Sequence, residues 1–175
     1  MLSPVRKLDS ADSTVDFDCG QPALNQYLRR YALMNQSAGM AHTYVCCEGR
    51  SPSPSVVAWY SLSVASVEPD AATARLRRGV ARHPVPVMLL ARLAVDQRWQ
   101  GRGLGRAMLK DALLRTAQAA DIAGIRALLV HAKDKDARRW YLGWDFEPSP
   151  TDPYHLFLLL KDIRAIWGQN KNTIF

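Results

Sequence analysis

No stretch of this sequence is apolar for long enough to cross a bilayer, which takes about 20 residues. Its first thirteen residues carry four charges and lack the apolar centre of a secretory signal, so neither membrane insertion nor export is expected. Cysteine is scarce. Of the three present, Cys46 and Cys47 are adjacent and poorly placed to bond to each other, which argues against a disulfide framework and for a reducing cytoplasm. Metal-ligand spacing is missing: His42, His83, His131 and His155 are scattered and join no cysteine in a zinc pattern. There is no G-x-S-x-G elbow and no cysteine–histidine pattern for a nucleophilic hydrolase.

Acidic residues are missing from one long window. Residues 75–110 hold eight Arg and one Lys against a single acid, Asp96. That window carries +8 of a chain whose total is +7, and the flanking segments are close to neutral. An excess of one sign this localised argues for a polyanionic partner, either a phosphorylated cofactor or a nucleic acid. With 175 residues, 48% of them apolar, the chain has the core for one domain over 1–175, with 168–175 expected as a flexible C-terminal tail.

Periodicity sets out the elements. Pro22 suits a first helical position, and Leu24, Tyr27, Leu28 and Tyr31 follow one apolar helical face. Thr43–Cys47 and Val56–Ala65 read as two antiparallel strands joined by the loop Gly49–Pro54. Ala71–Arg78 has the composition of a short helix, after which Pro84 and Pro86 stop regular structure until a strand over Val87–Val95. From Gly103 a long helix presents two apolar rows, Leu104, Met108, Ala112 and Leu109, Leu113, Ala117. A strand over Ala127–Ala132, a helix over Asp134–Trp144 and a last strand over His155–Lys161 complete an α/β (α+β) sandwich with a mixed sheet.

The densest chemical signal follows the strand that ends in Leu93, Ala94 and Val95. Gly101, Gly103 and Gly105 alternate through a turn that opens the long helix, so backbone N–H groups there can approach an anion that also feels the helix dipole. Arg98, Arg102 and Arg106 recur every four residues beside the turn, where guanidinium forks can pair with phosphate oxygens. A Walker loop would need a Lys and a hydroxyl residue that are not here, and a dinucleotide fingerprint would need a third glycine where Arg106 stands.

The pattern Gln100-x-x-Gly103-x-Gly105 instead resembles the pyrophosphate loop of the GCN5-related N-acetyltransferases, the GNAT family, with Gly101, Arg102 and Leu104 between those positions. The resemblance narrows with Phe17-Asp18-Cys19-Gly20, with Ala91-Arg92-Leu93-Ala94-Val95-Asp96 and with Phe146-Glu147-Pro148 through Leu156, which look like the TacT-type acetyltransferase toxins of bacterial toxin–antitoxin pairs. It implies a GNAT fold: a mixed, mostly antiparallel sheet flanked by helices, in which the strand Val87–Val95 splays and offers backbone groups to acetyl-CoA. Tyr141 falls where the family often places a tyrosine near the sulfur. The implied activity is acetylation of the α-amino group of aminoacyl-tRNA, which blocks translation. A ribbon-helix-helix antitoxin, contact with operator DNA only through that antitoxin, and a homodimer are implied as well. One position departs from the family pattern, since Asp145 stands before Phe146 where a glycine is usual.

Physical chemistry bears on the substrate independently. An α-amine titrates near 7.7–8.0 and is partly neutral at cellular pH, whereas a lysine near 10.4 would need a base that no Glu or Asp here clearly supplies. Tyr141 is the candidate proton donor to the departing thiolate. Arg75, Arg77, Arg78, Arg82 and Arg92 are the candidates for the RNA backbone. Two alternatives stay open: a GNAT acting on a small-molecule amine, which would call for an acidic pocket, and a nucleic-acid-binding module without catalysis, for which no recognition motif is present.

Overall fold

The computed structural model describes residues 1–170. The chain runs through β1 (Arg6–Lys7), α1 (Pro22–Gln26), a π-helical segment (Tyr27–Tyr31), α2 (Ala32–Ser37), β2 (His42–Glu48), β3 (Ser55–Val67), α3 (Ala74–Arg77) and β4 (Val85–Val95). It continues through α4 (Leu104–Ala120), β5 (Ala127–His131), α5 (Lys135–Leu142), β6 (Glu147–Pro148), β7 (His155–Leu159) and α6 (Leu160–Asn170). The seven strands hydrogen-bond in the order β1-β2-β3-β4-β5-β7-β6. β1/β2, β2/β3, β5/β7 and β6/β7 are antiparallel, while β4 and β5 run parallel. Of the tail expected over 168–175, residues 168–170 continue α6 and the rest lies outside the described residues.

The described residues pack as two units, one of Met1–Ser63 with Ala91–Ala112, the other of Val64–Leu90 with the chain from Leu113 onward. Each is assembled from stretches distant in sequence, so neither is a separable length of chain. In the first unit Leu8, Phe17, Tyr27, Leu28, Val45, Val56, Trp59 and Ala94 form the core, with Tyr27 stacked on Trp59 at 5.5 Å. The helix predicted from Pro22 is present, and Leu24, Tyr27 and Leu28 of its predicted apolar face pack into the core, but Tyr31 does not. Tyr31 is 43% exposed and Ala32 is fully buried in its place, because the wider π turn advances the inward face by one residue. Cys19, Cys46 and Cys47 are free thiols and all buried.

In the second unit Val67, Leu76, Val85, Val87, Leu129, Phe157 and Leu159 form the core. Several boundaries differ from the sequence reading. β4 starts at Val85 and contains Pro86, which is exposed, accepts through its carbonyl from the Arg126 N–H at 2.9 Å, and precedes the ladder to β5 that begins at Met88. The last strand ends at Leu159 rather than Lys161, and α6 begins at Leu160, where an apolar run serves strand and helix alike and hides the change of period. The short helix narrows to Ala74–Arg77, capped by the Thr73 hydroxyl on the Leu76 N–H. α5 is capped by Asp134 and ends at Leu142, because the next three residues make a turn. The two-residue strands β1 and β6 carry no alternation to read and were not expected. β4 pairs with β5 over Met88–Leu90; of the five strand residues beyond, Ala91, Arg92, Leu93 and Val95 are half-buried and Ala94 is buried.

Candidate active site

β4 leads straight into the glycine turn. Asp96 caps a 3₁₀ turn, Gln97–Trp99, and α4 opens at Leu104 with its first internal bond from the Ala107 N–H to the Gly103 carbonyl, 3.1 Å. Gly101 and Gly103 have φ of +75° and +83°, left-handed values that L side chains rarely adopt. A Cβ built on either would meet nothing within 4 Å, so the backbone dihedral requires glycine here and the space over the loop is open. Gly105 is different: it lies inside α4, and its Cβ would sit 3.6 Å from Val95 Cγ2, an ordinary contact. An open cradle without side chains at the start of a seventeen-residue helix suits a diphosphate.

The three arginines beside the turn do not form one phosphate-facing row. Arg98 lies in the 3₁₀ turn, Arg102 in the glycine turn and Arg106 in the helix, so the four-residue spacing traverses three conformations. Arg98 grips Asp96 with Nε at 2.9 Å and Nη2 at 3.1 Å. Arg102 lies over the Trp99 ring at 5.0 Å. Arg106 is exposed in the first turn of α4. Gln100, although exposed, ties the turn back to its surroundings, its side-chain amide donating to the Val95 carbonyl at 2.9 Å and the Cys19 carbonyl at 3.2 Å.

Asp96 is not among the site residues the sequence suggests, although its place as the only acid in the basic window is a usable signal. It is 1% exposed and accepts four hydrogen bonds, three from Arg98 and one from the Asp18 N–H. Burial pushes its carboxyl upward, but the hydrogen bonds from Arg98 and Asp18, with the Arg98 charge, outweigh this and hold it below its ordinary value.

Tyr141 lies on α5, 8% exposed, with edge-on ring contacts to Trp140 at 5.0 Å and Phe146 at 5.4 Å. Among the described residues its hydroxyl meets no hydrogen-bond partner, and burial pushes the phenol above its ordinary value. The turn after α5 answers the departure at Asp145. This residue adopts φ +67°, the left-handed conformation a glycine would take, while Trp144 and Phe146 N–H groups both donate to the Tyr141 carbonyl. Gly143 does not substitute for that glycine, having an ordinary φ of −63°.

The remaining basic residues separate into two sets. Arg77, Arg78 and Arg82 are exposed and line, with Val80 and His83, a groove of about 400 Å³. Arg75 does not join them: it binds Glu147 at 2.5 Å and Asp162 at 2.9 Å, tying α3 to β6 and α6. Arg92, half-buried on β4, stacks on the Tyr27 ring at 3.8 Å. Among the described residues no three His, Cys, Asp or Glu side chains gather as a metal site would require.

A model described as an acetyltransferase (GNAT) domain matches residues 56–148. The chain is 48% identical to the tRNA-acetylating toxin of Mycobacterium tuberculosis over 167 residues, 95% of this chain and 97% of the relative. Among solved structures, AtaT complexed with acetyl-methionyl-tRNAfMet matches at a TM-score of 0.88 with 25% identity, covering 95% of this chain and 99% of that one. A tyrosine-to-phenylalanine variant of the AtaT toxin bound to the C-terminus of the antitoxin AtaR and acetyl-CoA matches at 0.81 with 25% identity, covering 95% and 98%. Strand, glycine turn and helix, together with a relative identical at almost half of its positions, identify the chain as a member of the GNAT acetyltransferase family.

Proposed function

We propose that this chain is a toxin that uses acetyl-CoA to acetylate the α-amino group of aminoacyl-tRNA, which removes the nucleophile needed for peptide-bond formation. The observation that carries the reading is the 48% identity, over 95% of the chain, to a tRNA-acetylating toxin. The open glycine cradle supports the choice of donor and the basic groove supports a nucleic-acid acceptor.

When bound, acetyl-CoA supplies the acetyl thioester. Backbone N–H groups of Gly101–Arg106 at the start of α4 hold its diphosphate, and the guanidinium groups of Arg102 and Arg106 add charge nearby. Arg98 serves the same loop through its grip on Asp96. Backbone groups of Leu93, Ala94 and Val95 orient the thioester arm and donate to the oxygen that gains charge as the amine attacks. Tyr141 donates a hydrogen bond from its hydroxyl to the departing sulfur. A thiolate titrating near 8.5 cannot keep a proton from a phenol raised above 10. Tyr141 therefore works as a hydrogen-bond donor that stays protonated: the sulfur departs as a thiolate and the proton that the acetylated nitrogen sheds goes to solvent. No side-chain base is needed for an amine that is partly neutral at the start.

Arg77, Arg78 and Arg82 contact the RNA backbone; Arg75 supports that face through Glu147 and Asp162, and Arg92 reaches the acceptor end from its seat on Tyr27. The setting is the cytoplasm, where aminoacyl-tRNA is found, as a homodimer restrained by a ribbon-helix-helix antitoxin that alone contacts operator DNA. Among the described residues no helix is long and apolar enough to cross a membrane. Thioester cleavage by the purified protein with bulk aminoacyl-tRNA, uncharged tRNA and a polyamine panel tests the reading. Turnover with aminoacyl-tRNA alone is expected. Turnover with polyamines, or RNA binding without turnover, would overturn it.

A further inference from the structure

We propose that Asp96 and the turn Asp18–Gly20 form a brace that fixes the root of the acetyl-donor loop, making Asp96 and Gly20 positioning residues for acetyl-CoA binding. This rests on the reading of that loop as the acetyl-CoA site. The loop itself is poorly held: Gly101, Arg102 and Gly103 are exposed, and the two glycines have the widest backbone freedom of any residue. Amides that grip a diphosphate must nevertheless be preset to about 0.5 Å. The restraint comes from a segment far away in sequence.

Three residues at the root of the loop, Asp96, Gln97 and Gln100, are bonded to that segment or to β3. The Asp96 N–H donates to the Val57 carbonyl at 2.8 Å, and its carboxylate accepts from the Asp18 N–H at 3.1 Å. The Gln97 N–H donates to the Asp18 carbonyl at 2.9 Å, and Gln100 Nε2 reaches the Cys19 carbonyl at 3.2 Å. The turn is itself locked: Asp18 Oδ1 accepts from the Gly20 N–H at 2.8 Å and from Asn25 Nδ2 at 2.9 Å, while Asn25 Oδ1 accepts from the Cys19 N–H at 3.0 Å. Gly20 has φ +85°, a conformation L side chains rarely adopt, and a Cβ there would come within 2.6 Å of Gln97 Nε2, the movable end of an exposed side chain, so it is the dihedral of the turn that requires glycine. Arg98 joins the brace from outside, its side chain 61% exposed and its guanidinium on the 2%-exposed Asp96 carboxylate. A buried carboxylate with four donors is a rigid hub, since removing its charge leaves those donors competing for a weaker acceptor.

The test compares wild type with Asp96→Asn, Gly20→Ala, Arg98→Gln and the Asp96→Asn, Arg98→Gln double variant, by calorimetry with acetyl-CoA and by steady-state kinetics. In Asp96→Asn the Kd and KM for acetyl-CoA should rise about tenfold to a hundredfold, the fold-change that matches the loss of one hydrogen bond to a charged group. The kcat at saturating acetyl-CoA and the KM for aminoacyl-tRNA should stay within about twofold, a split that general damage to the fold does not produce. The double variant should bind acetyl-CoA no more weakly than Asp96→Asn alone, because Arg98 acts through Asp96. If Asp96→Asn fails to fold, Gly20→Ala and Arg98→Gln keep the buried carboxylate and carry the same test. Unchanged acetyl-CoA affinity in the folded variants overturns the brace, as does a fall in kcat with KM unaltered. Absence of acetyl-CoA binding in the wild type would overturn the reading of the loop itself, an outcome distinct from a loss confined to the variants.

Discussion

Replacing Gly103 by glutamate separates the fold of the donor loop from its chemistry. In the protein alone the change meets two small opposing effects. The left-handed φ of +83° costs an L residue about 1 kcal/mol, and no clash adds to it because a Cβ there finds nothing within 4 Å. An acidic side chain at the start of α4 returns about 0.3–1 kcal/mol through the helix dipole. The net change should lower Tm by no more than about 2–4 °C in a chain of this size. Toward acetyl-CoA the effects add instead of cancelling. The carboxylate occupies the open space over the loop, and two unit negative charges about 4 Å apart repel by about 1 kcal/mol in water and about 4 kcal/mol at an effective dielectric constant of 20. That range corresponds to about fivefold to a thousandfold in Kd, and steric filling of the cradle places the expected value at the upper end. Calorimetric titration with acetyl-CoA beside a thermal melt reads both quantities. Gly105→Ala is the companion variant, since its methyl meets only Val95 Cγ2 at 3.6 Å and a helical Gly→Ala change favours folding by up to about 1 kcal/mol. A folded Gly103→Glu protein with wild-type acetyl-CoA affinity would refute the assignment of the loop.

Tyr141→Phe should lower turnover about a hundredfold or more while acetyl-CoA affinity holds. Because burial raises the phenol, its proton-bearing form persists at alkaline pH, so the wild-type rate should rise as the substrate amine deprotonates near 7.7–8.0 and show no decline from Tyr141 up to about pH 10; an alkaline fall that disappears in the variant would contradict this. The Arg77→Ala, Arg78→Ala, Arg82→Ala triple variant should weaken aminoacyl-tRNA binding, reduce its salt slope by about 0.7–0.9 per lost contact and leave acetyl-CoA affinity intact, and normal tRNA acetylation at physiological salt would mark the groove as a solvated face. Arg75 is left out of that variant because its ion pairs with Glu147 and Asp162 would confound stability with binding. Asp145→Gly should raise stability by about 0.5–1 kcal/mol by relieving the left-handed aspartate, and a lower Tm would show that the Asp145 side chain stabilises the turn.

What the sequence determined by itself are the features whose physics is local. Pro22 at the start of a helix, glycines at 101 and 103 where φ is positive, and the two apolar rows of α4 each express a dihedral or a periodicity within a few residues, and all are found where expected. The turn between β4 and α4 was legible for the same reason. Choice of partner across the chain was not. Arg75 is indistinguishable from its neighbours as a member of a basic window, yet it is drawn to Glu147 and Asp162, 72 and 87 positions away. The bracing of the loop by Asp18–Gly20 spans about eighty residues and leaves in sequence only a lone acid and a glycine. The π turn that moves the buried face from Tyr31 to Ala32, and the left-handed Asp145, are likewise settled by packing: an extra residue in a turn, or an unfavourable dihedral, costs on the order of 1 kcal/mol, and burying the right side chains outweighs that cost. Local dihedral demands are therefore written in residue types, whereas which charges meet, and which are left for a ligand, is decided only when the chain closes on itself.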